Sequence, residues 1–331
     1  MKALDLFAGS GVGVATRKLG IEEFGVEIWQ PAIDSRAAAG FNTPYRDAWD
    51  VDAPERLGIE FDILWASPPC QTFSVAGKGA GRESLDAVIG AIQAGRWADI
   101  ESLRTLGDEV GDQRTALVIV PLTYTKRYRP TYVALEQVPT VLPVWEAYRA
   151  PLESLGYSVW IGHLNSEEYG VPQARKRAYL IARRDGIEAG PPTPMNAGYR
   201  GSHDSALPVP VTMHEALGWG ITDRPHPGIT SHLGVTRSPT GTQQVYQSAI
   251  DRGAFEFKDV APIASKVAVN GIGSRYAPNT INLNDRDGAI IAGYPEDFPF
   301  KGTKTQRHLQ IGNSVPPPVA EAVLKTFLTF G

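Results

Sequence analysis

Residues 3–13 read ALDLFAGSGVG, a short apolar run followed by a cluster of glycines. The apolar residues 3–7 predict a β-strand, and the glycines predict a tight turn into a helix that runs through about Leu19. A second apolar run, residues 24–29, predicts another strand, and a helix over 32–39 follows it. The chain therefore begins as a strand-turn-helix-strand unit, with the acidic residue Glu27 near the end of the second strand.

The same alternation continues along the chain and decides the fold class. We predict further strands at 61–66, 133–135, 158–161 and 178–182, and further helices at 85–93, 115–126 and 144–155. Strands that alternate with helices favour a parallel sheet covered by helices on both faces. We therefore predict an α/β fold with a doubly wound, mostly parallel sheet.

Composition changes near residue 186 and suggests a second, smaller domain. Residues 190–194 read GPPTP and open a stretch rich in Pro, Gly, Thr and Ser, which continues to about residue 280 with little helical periodicity. Residues 77–111 form an insertion with helical character and no recognisable chemistry. The final apolar-periodic segment, 317–330, predicts a helix that returns to the first domain.

Length and composition limit the class of protein. The 331 residues are 42% hydrophobic and 21% charged, which is ordinary for a globular protein of about two domains. The single cysteine, Cys70, excludes an internal disulfide and a cysteine-rich zinc site, and we predict no metal centre. No apolar run reaches the roughly 20 residues of a membrane helix and no signal peptide is recognisable, so we expect a cytoplasmic protein.

Net charge decides little about the partner. The chain carries a net charge of −4, whereas nucleic-acid-binding proteins are usually basic. The excess acid lies entirely before residue 186, and four of the six histidines lie between residues 186 and 280. A locally basic groove in the middle segment is therefore compatible with the composition.

The glycine turn and Glu27 indicate a nucleotide-type cofactor. Glycines let a bound nucleotide approach the backbone, and an acid at the end of the second strand can accept hydrogen bonds from ribose hydroxyls. A tight strand-to-helix turn without a ligand is the alternative. The dinucleotide fingerprint G-x-G-x-x-G is not satisfied, because Val14 occupies the place of the third glycine, and this disfavours an NAD-dependent dehydrogenase.

Three further clusters are candidates for chemistry. Residues 67–74 read SPPCQTFS directly after a predicted strand, which places Cys70 at the edge where open α/β sheets build their sites. A cysteine there suits a nucleophile, although a lone cysteine can equally be an inert core residue. Glu136 ends another predicted strand, and the basic cluster 173–177, QARKR, precedes a third. Glu136 alone suits a surface carboxylate and the basic cluster alone suits a solvated face, but together the clusters favour an active site.

The ordered set of motifs resembles the cytosine-C5 DNA methyltransferase family. Its most specific features are a Pro-Cys-Gln block and a Gly-Asn-Ser-Val block. The matching positions, in the family's order, are 5–11, 27–28, Asp47, 68–71, Asp112 with Arg114, 136–138, 173–177, 293–295 and 312–315. The resemblance implies a Rossmann-like class I methyltransferase fold with a second, smaller target-recognition domain, in agreement with the predicted sheet.

The resemblance also implies the chemistry. Cys70 would add to C6 of a cytosine, and C5 would then take a methyl group from S-adenosylmethionine, leaving S-adenosylhomocysteine. Glu136 would meet the N3 and N4 edge of the base, and Arg177 would hold O2, where charge develops. Arg175 would fix the thiol and its loop, and it is a candidate for lowering the pKa of the thiol.

The cofactor contacts are implied by the family's motifs in the same way. Phe7 and Ile28 would flank the adenine, Gly9 and Gly11 would admit the methionine moiety, and Glu27 would hold the ribose hydroxyls. The complete set of expected cofactor-binding residues is Phe7, Ala8, Gly9, Gly11, Glu27, Ile28, Asp47, Pro69, Leu117, Asn313, Ser314 and Val315.

A cytosine inside a duplex must rotate out of the base stack before a thiol can reach it. The family implies a catalytic and cofactor-binding domain at 1–186, a target-recognition domain at 187–307, and a C-terminal segment at 308–331 that returns to the first domain. The residues expected to contact DNA are Gln71, Ser74, Arg237, Gln243 and Arg275, with Gln244 and Asn270 as further candidates.

The expected partner is double-stranded DNA, in the setting of a restriction-modification pair with a cognate endonuclease or of a phage that protects its genome. We expect a monomer in the cytoplasm of a bacterial or phage-infected cell. A tRNA cytosine-C5 methyltransferase and an inactive DNA-binding member of the fold stay open as alternatives. The chain departs from the family at Gln137, where asparagine is usual, and in the block 281–287, INLNDRD.

Overall fold

The computed structural model describes residues 1–69, 80–198, 206–218, 225–226, 266–267, 281–282 and 284–328. The chain divides into two compact units. The first unit comprises residues 1–164, 176–193 and 320–331, and the second comprises residues 165–175 and 194–319. The first unit contains a seven-stranded sheet, and the part of the second unit that the structure describes contains short helices and a two-stranded antiparallel ribbon.

The large sheet confirms the predicted fold class. Its strands are β1 (Lys2–Leu6), β2 (Glu22–Val26), β3 (Asn42–Tyr45), β4 (Ile63–Ala66), β5 (Tyr132–Gln137), β6 (Ser158–Asn165) and β7 (Lys176–Arg183). They lie in the order β3-β2-β1-β4-β5-β7-β6, with parallel pairing from β3 to β5 and antiparallel pairing between β5 and β7. The strand order reverses between β1 and β4, and open α/β sheets bind ligands at the carboxyl ends of strands at such a reversal.

Helices cover the sheet, and the predicted helices are present with shifted ends. The first unit contains α1 (Gly11–Lys18), α2 (Gln30–Ala38), α3 (Ala53–Arg56), α4 (Ala80–Gln93), α5 (Ile100–Glu109), α6 (Gln113–Ala116), α7 (Val120–Tyr128) and α8 (Leu142–Ser154). The predicted helix 115–126 is divided between α6 and α7. The later helices are α9 (Met213–Leu217), α10 (Asp285–Ile291), α11 (Lys304–Asn313) and α12 (Pro317–Lys325).

Two features of the sheet differ from the sequence analysis. The strand β3 was not predicted, because its sequence NTPY lacks an apolar run, as is typical of a short strand at a sheet edge. The antiparallel direction of β7 was not predicted either. Only residues 166–175 connect β6 to β7, and a parallel crossover needs a dozen or more residues, so the length of this connection was the available signal.

The core explains why the central strands are almost continuously apolar. Leu4 and Leu6 of β1 and the three residues 63–65 of β4 are fully buried. Strands covered by helices on both faces bury both sets of alternating side chains, which removes the polar face expected of a half-exposed strand. The ends of these buried strands consequently hold rigid positions for the loops that follow them.

The insertion 77–111 is built into the same core. Its helices α4 and α5 contribute the buried side chains Val88, Ala91, Ile92, Leu103 and Leu106. Asp99 caps α5, since its carboxylate accepts hydrogen bonds from the backbone N–H groups of Glu101 and Ser102. Where the structure describes it, the insertion is therefore an integral part of the first unit.

The second unit relies on capped helices. Thr212, Asn284 and Thr303 each form a capping box with the residue three positions later, at the starts of α9, α10 and α11. The ribbon pairs β8 (Lys266–Val267) with β9 (Ile281–Asn282). Among the helices in the described ranges, none combines the length and the apolar composition needed to cross a membrane.

Candidate active site

The glycine turn follows β1 directly and has an unusual backbone. Phe7 adopts φ 63°, in the left-handed region that non-glycine residues seldom occupy. The turn is held against β2, because the backbone N–H of Ala8 donates to the carbonyl of Val26 at 2.9 Å. A Cβ added at Gly9 would meet no atom within 4 Å, so the turn faces open space at this residue. Such room is what a ligand that approaches the backbone requires.

Glu27 lies just past the end of β2 and binds the turn. Its carboxylate accepts hydrogen bonds from the backbone N–H of Gly9 at 3.2 Å and of Trp29 at 2.8 Å. Burial raises the pKa of Glu27, and these N–H groups act in the opposite direction. The backbone N–H of Ile28 acts on the same carboxylate, which has about four lone-pair sites, so room is left to accept from a ligand hydroxyl.

Three further expected cofactor residues of the first unit follow neighbouring strand ends, and a fourth, Leu117, follows a helix. Ile28 leaves 71% of its surface exposed, and Asp47 follows β3 with one oxygen accepting the N–H of Trp49 at 3.0 Å. Pro69 follows β4, and Leu117 ends α6 and packs partly buried against the core. Phe7, Gly9, Glu27, Ile28 and Asp47 thus follow the carboxyl ends of three adjacent parallel strands.

The remaining expected cofactor residues belong to the second unit. Asn313 is the last residue of α11, and Ser314 caps its end by donating from Oγ to the carbonyl of Ile311 at 2.9 Å. Val315 is buried. The order of these residues along the chain agrees with the Gly-Asn-Ser-Val motif, and their contact with a cofactor stays a prediction.

An ion pair between a buried acid and a half-buried arginine lies at the end of β5. Glu136 is 5% exposed, and its Oε1 is 3.3 Å from Nε of Arg177. Antiparallel pairing of β5 with β7 sets Gln137 opposite Ala178, which brings the start of β7, and hence Arg177, beside Glu136. The structure therefore brings together two of the four predicted catalytic residues, an acid and a guanidinium that could contact adjacent polar atoms of one ligand.

Gln137 links this acid to the segment that leads into Cys70. Its amide nitrogen donates to the carbonyl of Pro68, and its amide oxygen accepts from the backbone N–H of Val138. Since β4 and β5 are adjacent and parallel, the ends of these two strands lie at the same edge of the sheet. The backbone two residues before Cys70 is therefore tied to the backbone that presents Glu136.

Arg175 belongs to the second unit and has a defined hydrogen-bond partner within that unit. It is 6% exposed, and its guanidinium donates to the carbonyl of Gly312 at 2.7 Å, directly before Asn313. Its predicted action on the thiol stays a prediction, because Cys70 lies outside the described residues. The same holds for the residues expected to contact DNA, namely Gln71, Ser74, Arg237, Gln243, Gln244, Asn270 and Arg275.

Two buried charged residues beside the turn were missed by the sequence analysis. Arg36 of α2 is fully buried and donates to the carbonyl of Gly9 at 3.0 Å, and Glu23 of β2 is its ion-pair partner. The sequence carries no clear signal for this pair, because β2 begins with two adjacent glutamates, Glu22 and Glu23, and charged residues are seldom buried unless they are paired.

Comparison with known proteins shows the family to which the chain belongs. The family described as C-5 cytosine-specific DNA methylase matches residues 1–88, 102–210 and 224–329. The type II methyltransferase M.NgoBI of Neisseria gonorrhoeae is 25% identical over 362 residues, covering 98% of this chain and 92% of that protein. The type II methyltransferase M.HaeII of Haemophilus aegyptius is 26% identical over 346 residues, covering 97% and 91%.

Solved structures share the fold. The Dnmt2 methyltransferase of Schizosaccharomyces pombe has a TM-score of 0.59 and 15% identity, with 99% of this chain and 98% of that chain covered. The Entamoeba histolytica methyltransferase EhMeth has a TM-score of 0.58 and 14% identity, covering 98% and 97%. The match to the family spans nearly the whole chain, from the glycine turn to the C-terminal helix. The chain belongs to the C-5 cytosine-specific DNA methylase family and is a DNA cytosine-5 methyltransferase.

Proposed function

We propose that the protein transfers a methyl group from S-adenosylmethionine to C5 of a flipped-out cytosine in a specific duplex DNA sequence, through a covalent bond between Cys70 and C6. The observation that carries this proposal is the Glu136–Arg177 pair, tied through Gln137 to the backbone before Cys70. The glycine turn follows β1, and the segment that leads into Cys70 follows the adjacent parallel strand β4, so both begin at the same edge of the sheet. The residues expected to bind the methyl donor therefore lie near the segment that carries the expected nucleophile.

The residues around the turn fit S-adenosylmethionine, which supplies an electrophilic methyl group. Gly9 leaves room for a ligand at the backbone, and Glu27 has a lone pair left for a ribose hydroxyl. The exposed side chain of Ile28 offers an apolar surface for the adenine ring. Asp47 has one carboxylate oxygen that accepts from Trp49 and another that could accept from an adenine amine.

Each catalytic residue has a distinct task in this proposal. The thiolate of Cys70 adds to C6, and the electron pair of the C5–C6 bond moves to C5, which bonds to the methyl carbon as the donor sulfur leaves. Glu136 meets the N3 and N4 edge of the ring, and Arg177 stabilises the charge that develops at O2. Loss of the C5 proton to a base then expels the thiolate and restores the aromatic ring.

A separate segment of the chain has the recognition task in this proposal. We assign 1–186 to catalysis and cofactor binding, 187–307 to target recognition and 308–331 to a segment that completes the catalytic domain. The target cytosine must leave the stack at a cost of a few kcal/mol, which contacts from the recognition segment offset. Relatives such as M.NgoBI carry the name type II methyltransferase, so we assign the protein to restriction-modification with a cognate endonuclease.

Bisulfite sequencing of DNA from bacteria that express the protein tests this function. We expect protected cytosines at one short sequence and none in cells that express Cys70→Ala or Glu136→Gln. A parallel assay with labelled S-adenosylmethionine compares duplex DNA with tRNA as acceptor, and we expect label in DNA alone. Label in tRNA alone would assign the protein to RNA, and no label in either, from folded protein, would contradict a methyltransferase.

A further inference from the structure

Arg36 is the most completely bonded buried charge beside the cofactor turn. Its side chain is fully buried, a position that is unfavourable for a guanidinium unless its donors are satisfied. All three nitrogens donate. The acceptors are Thr43 Oγ1 at 2.9 Å, the carbonyls of Ala8 at 3.1 Å, Gly9 at 3.0 Å and Asn42 at 2.7 Å, and both carboxylate oxygens of Glu23 at 2.8 Å.

These bonds join the glycine turn to two other segments. Glu23 lies on β2, and Asn42 and Thr43 begin β3, so one planar group fixes the turn relative to both strands. The residue Gly9 is held on both of its backbone polar groups. Its N–H donates to Glu27, and its carbonyl accepts from Arg36. The position of Glu27 relative to the turn therefore depends on where Arg36 holds the carbonyls.

The neighbouring strand leaves space for this guanidinium. A Cβ on Gly25 would lie 2.0 Å from a terminal nitrogen of Arg36 and 2.3 Å from its Cζ, far inside contact distance. Any side chain at Gly25 would therefore displace the guanidinium from the carbonyls of the turn. Glu23, Gly25 and Arg36 consequently act as one unit behind the turn, which we call the Arg36 clamp.

We propose that Arg36 is a positioning residue for the methyl donor: the Arg36 clamp holds the glycine turn and Glu27 in the geometry that receives S-adenosylmethionine before it binds. Arg36 acts through the carbonyls of Ala8 and Gly9 and does not itself touch the donor. This inference rests on the proposed function, which assigns the turn to that cofactor. A binding site held in place by buried bonds loses less conformational freedom on binding, which favours affinity.

The variant Arg36→Lys tests the role of the planar fork. An ammonium keeps the charge beside Glu23 but cannot span the six acceptors that the guanidinium reaches. We expect the dissociation constant of S-adenosylhomocysteine, measured by calorimetry, to rise at least about tenfold, with a similar rise in KM for S-adenosylmethionine. The kcat and the KM for DNA should change by less than about threefold.

Arg183→Lys is the matched control. Arg183 is also a buried arginine of the first unit that pairs with a carboxylate, Asp185, and donates to a backbone carbonyl, that of Thr326 at 2.9 Å. It ends β7, which pairs antiparallel with β5, so it lies at the sheet edge opposite the glycine turn. We expect Arg183→Lys to lower the melting temperature without changing the affinity for S-adenosylhomocysteine.

Thr43→Val provides a milder variant if Arg36→Lys does not fold. It removes only the acceptor at Nε of Arg36, and we expect roughly two- to fivefold weaker binding of S-adenosylhomocysteine with a folded protein. If Arg36→Lys folds, wild-type affinity for S-adenosylhomocysteine in this variant would overturn the inference. If it does not fold, wild-type affinity in Thr43→Val would do so. So would equal weakening in Arg183→Lys. If the wild-type protein itself does not bind S-adenosylhomocysteine, the proposed cofactor is wrong instead.

Discussion

Gln137 departs from the family, yet its side chain still joins two segments of the candidate site. Asparagine is usual at this position, and glutamine is longer by one methylene group. The longer side chain still makes two hydrogen bonds, one to the carbonyl of Pro68 and one from the N–H of Val138. The backbone that presents Glu136 and the backbone before Cys70 are therefore joined despite the substitution.

Replacing Gln137 by alanine should weaken catalysis more than cofactor binding. The change leaves the buried carbonyl of Pro68 without this donor, at a cost of about 1–3 kcal/mol of stability. We expect kcat to fall by roughly tenfold, because the acid and the backbone two residues before Cys70 lose the hydrogen bonds that join them. Single-turnover kinetics measure this, with Gln137→Asn as the control that keeps an amide. An unchanged kcat in folded Gln137→Ala would contradict the role.

Glu27 should make cofactor binding depend on pH. Burial raises the pKa of Glu27, and the ribose hydroxyls need the ionised carboxylate as an acceptor. Affinity for S-adenosylhomocysteine should therefore increase as pH rises through this pKa and decrease below it. The midpoint should lie above the usual glutamate value of about 4.3.

Calorimetric titrations between about pH 4 and pH 7 measure this dependence. The charged group that affects Glu27 is the Arg36 guanidinium, which lowers its pKa. Glu27 in turn raises the pKa of the buried carboxyl of Asp5. We expect Glu27→Gln to bind more weakly and to show a flat profile over the same range. An equally steep profile in Glu27→Gln would assign the titration to another group.

At the scale of the elements, the insertion that contains α4 and α5 packs into the core and also contacts a segment of the candidate site. The match to the family omits residues 89–101, so part of this insertion lies outside the matched regions. The guanidinium carbon of Arg104, on α5, lies 5.1 Å from the ring centroid of Trp49. The backbone N–H of Trp49 binds Asp47, so the insertion contacts the segment that carries an expected cofactor residue.

Removing a buried side chain from α5 should destabilise the whole first unit. Leu103 is fully buried in the main core, and leucine-to-alanine changes at such sites lower the free energy of unfolding by about 2–5 kcal/mol. Glu101→Ala on the exposed side of the same helix should change it by less than about 0.5 kcal/mol. Urea unfolding followed by circular dichroism measures both. An unchanged midpoint for Leu103→Ala would show that the insertion is not part of the core.

At the scale of the whole molecule, the sheet was predictable because its buried strands are apolar on both faces and alternate with helices. The strand ends then placed the glycine turn, Glu136 and the segment before Cys70 at one edge. The ion pair of Glu136 with Arg177 required the antiparallel pairing of β7, which local sequence patterns do not reveal. Arg36 was not predictable as a neighbour of the turn, because the turn carbonyls that accept from it, those of Ala8 and Gly9, belong to residues 28 and 27 positions earlier in the sequence.

The central claim is covalent attack by the only cysteine of the chain on C6 of a cytosine. Bacterial genomic DNA amplified with 5-fluoro-dCTP presents many short sequences in which fluorine at C5 blocks the final loss of a proton. Incubation with the protein and S-adenosylmethionine should give a DNA-protein adduct that resists denaturant, and mass spectrometry should find the base on Cys70. Absence of this adduct, in a preparation that methylates ordinary DNA, would contradict the account.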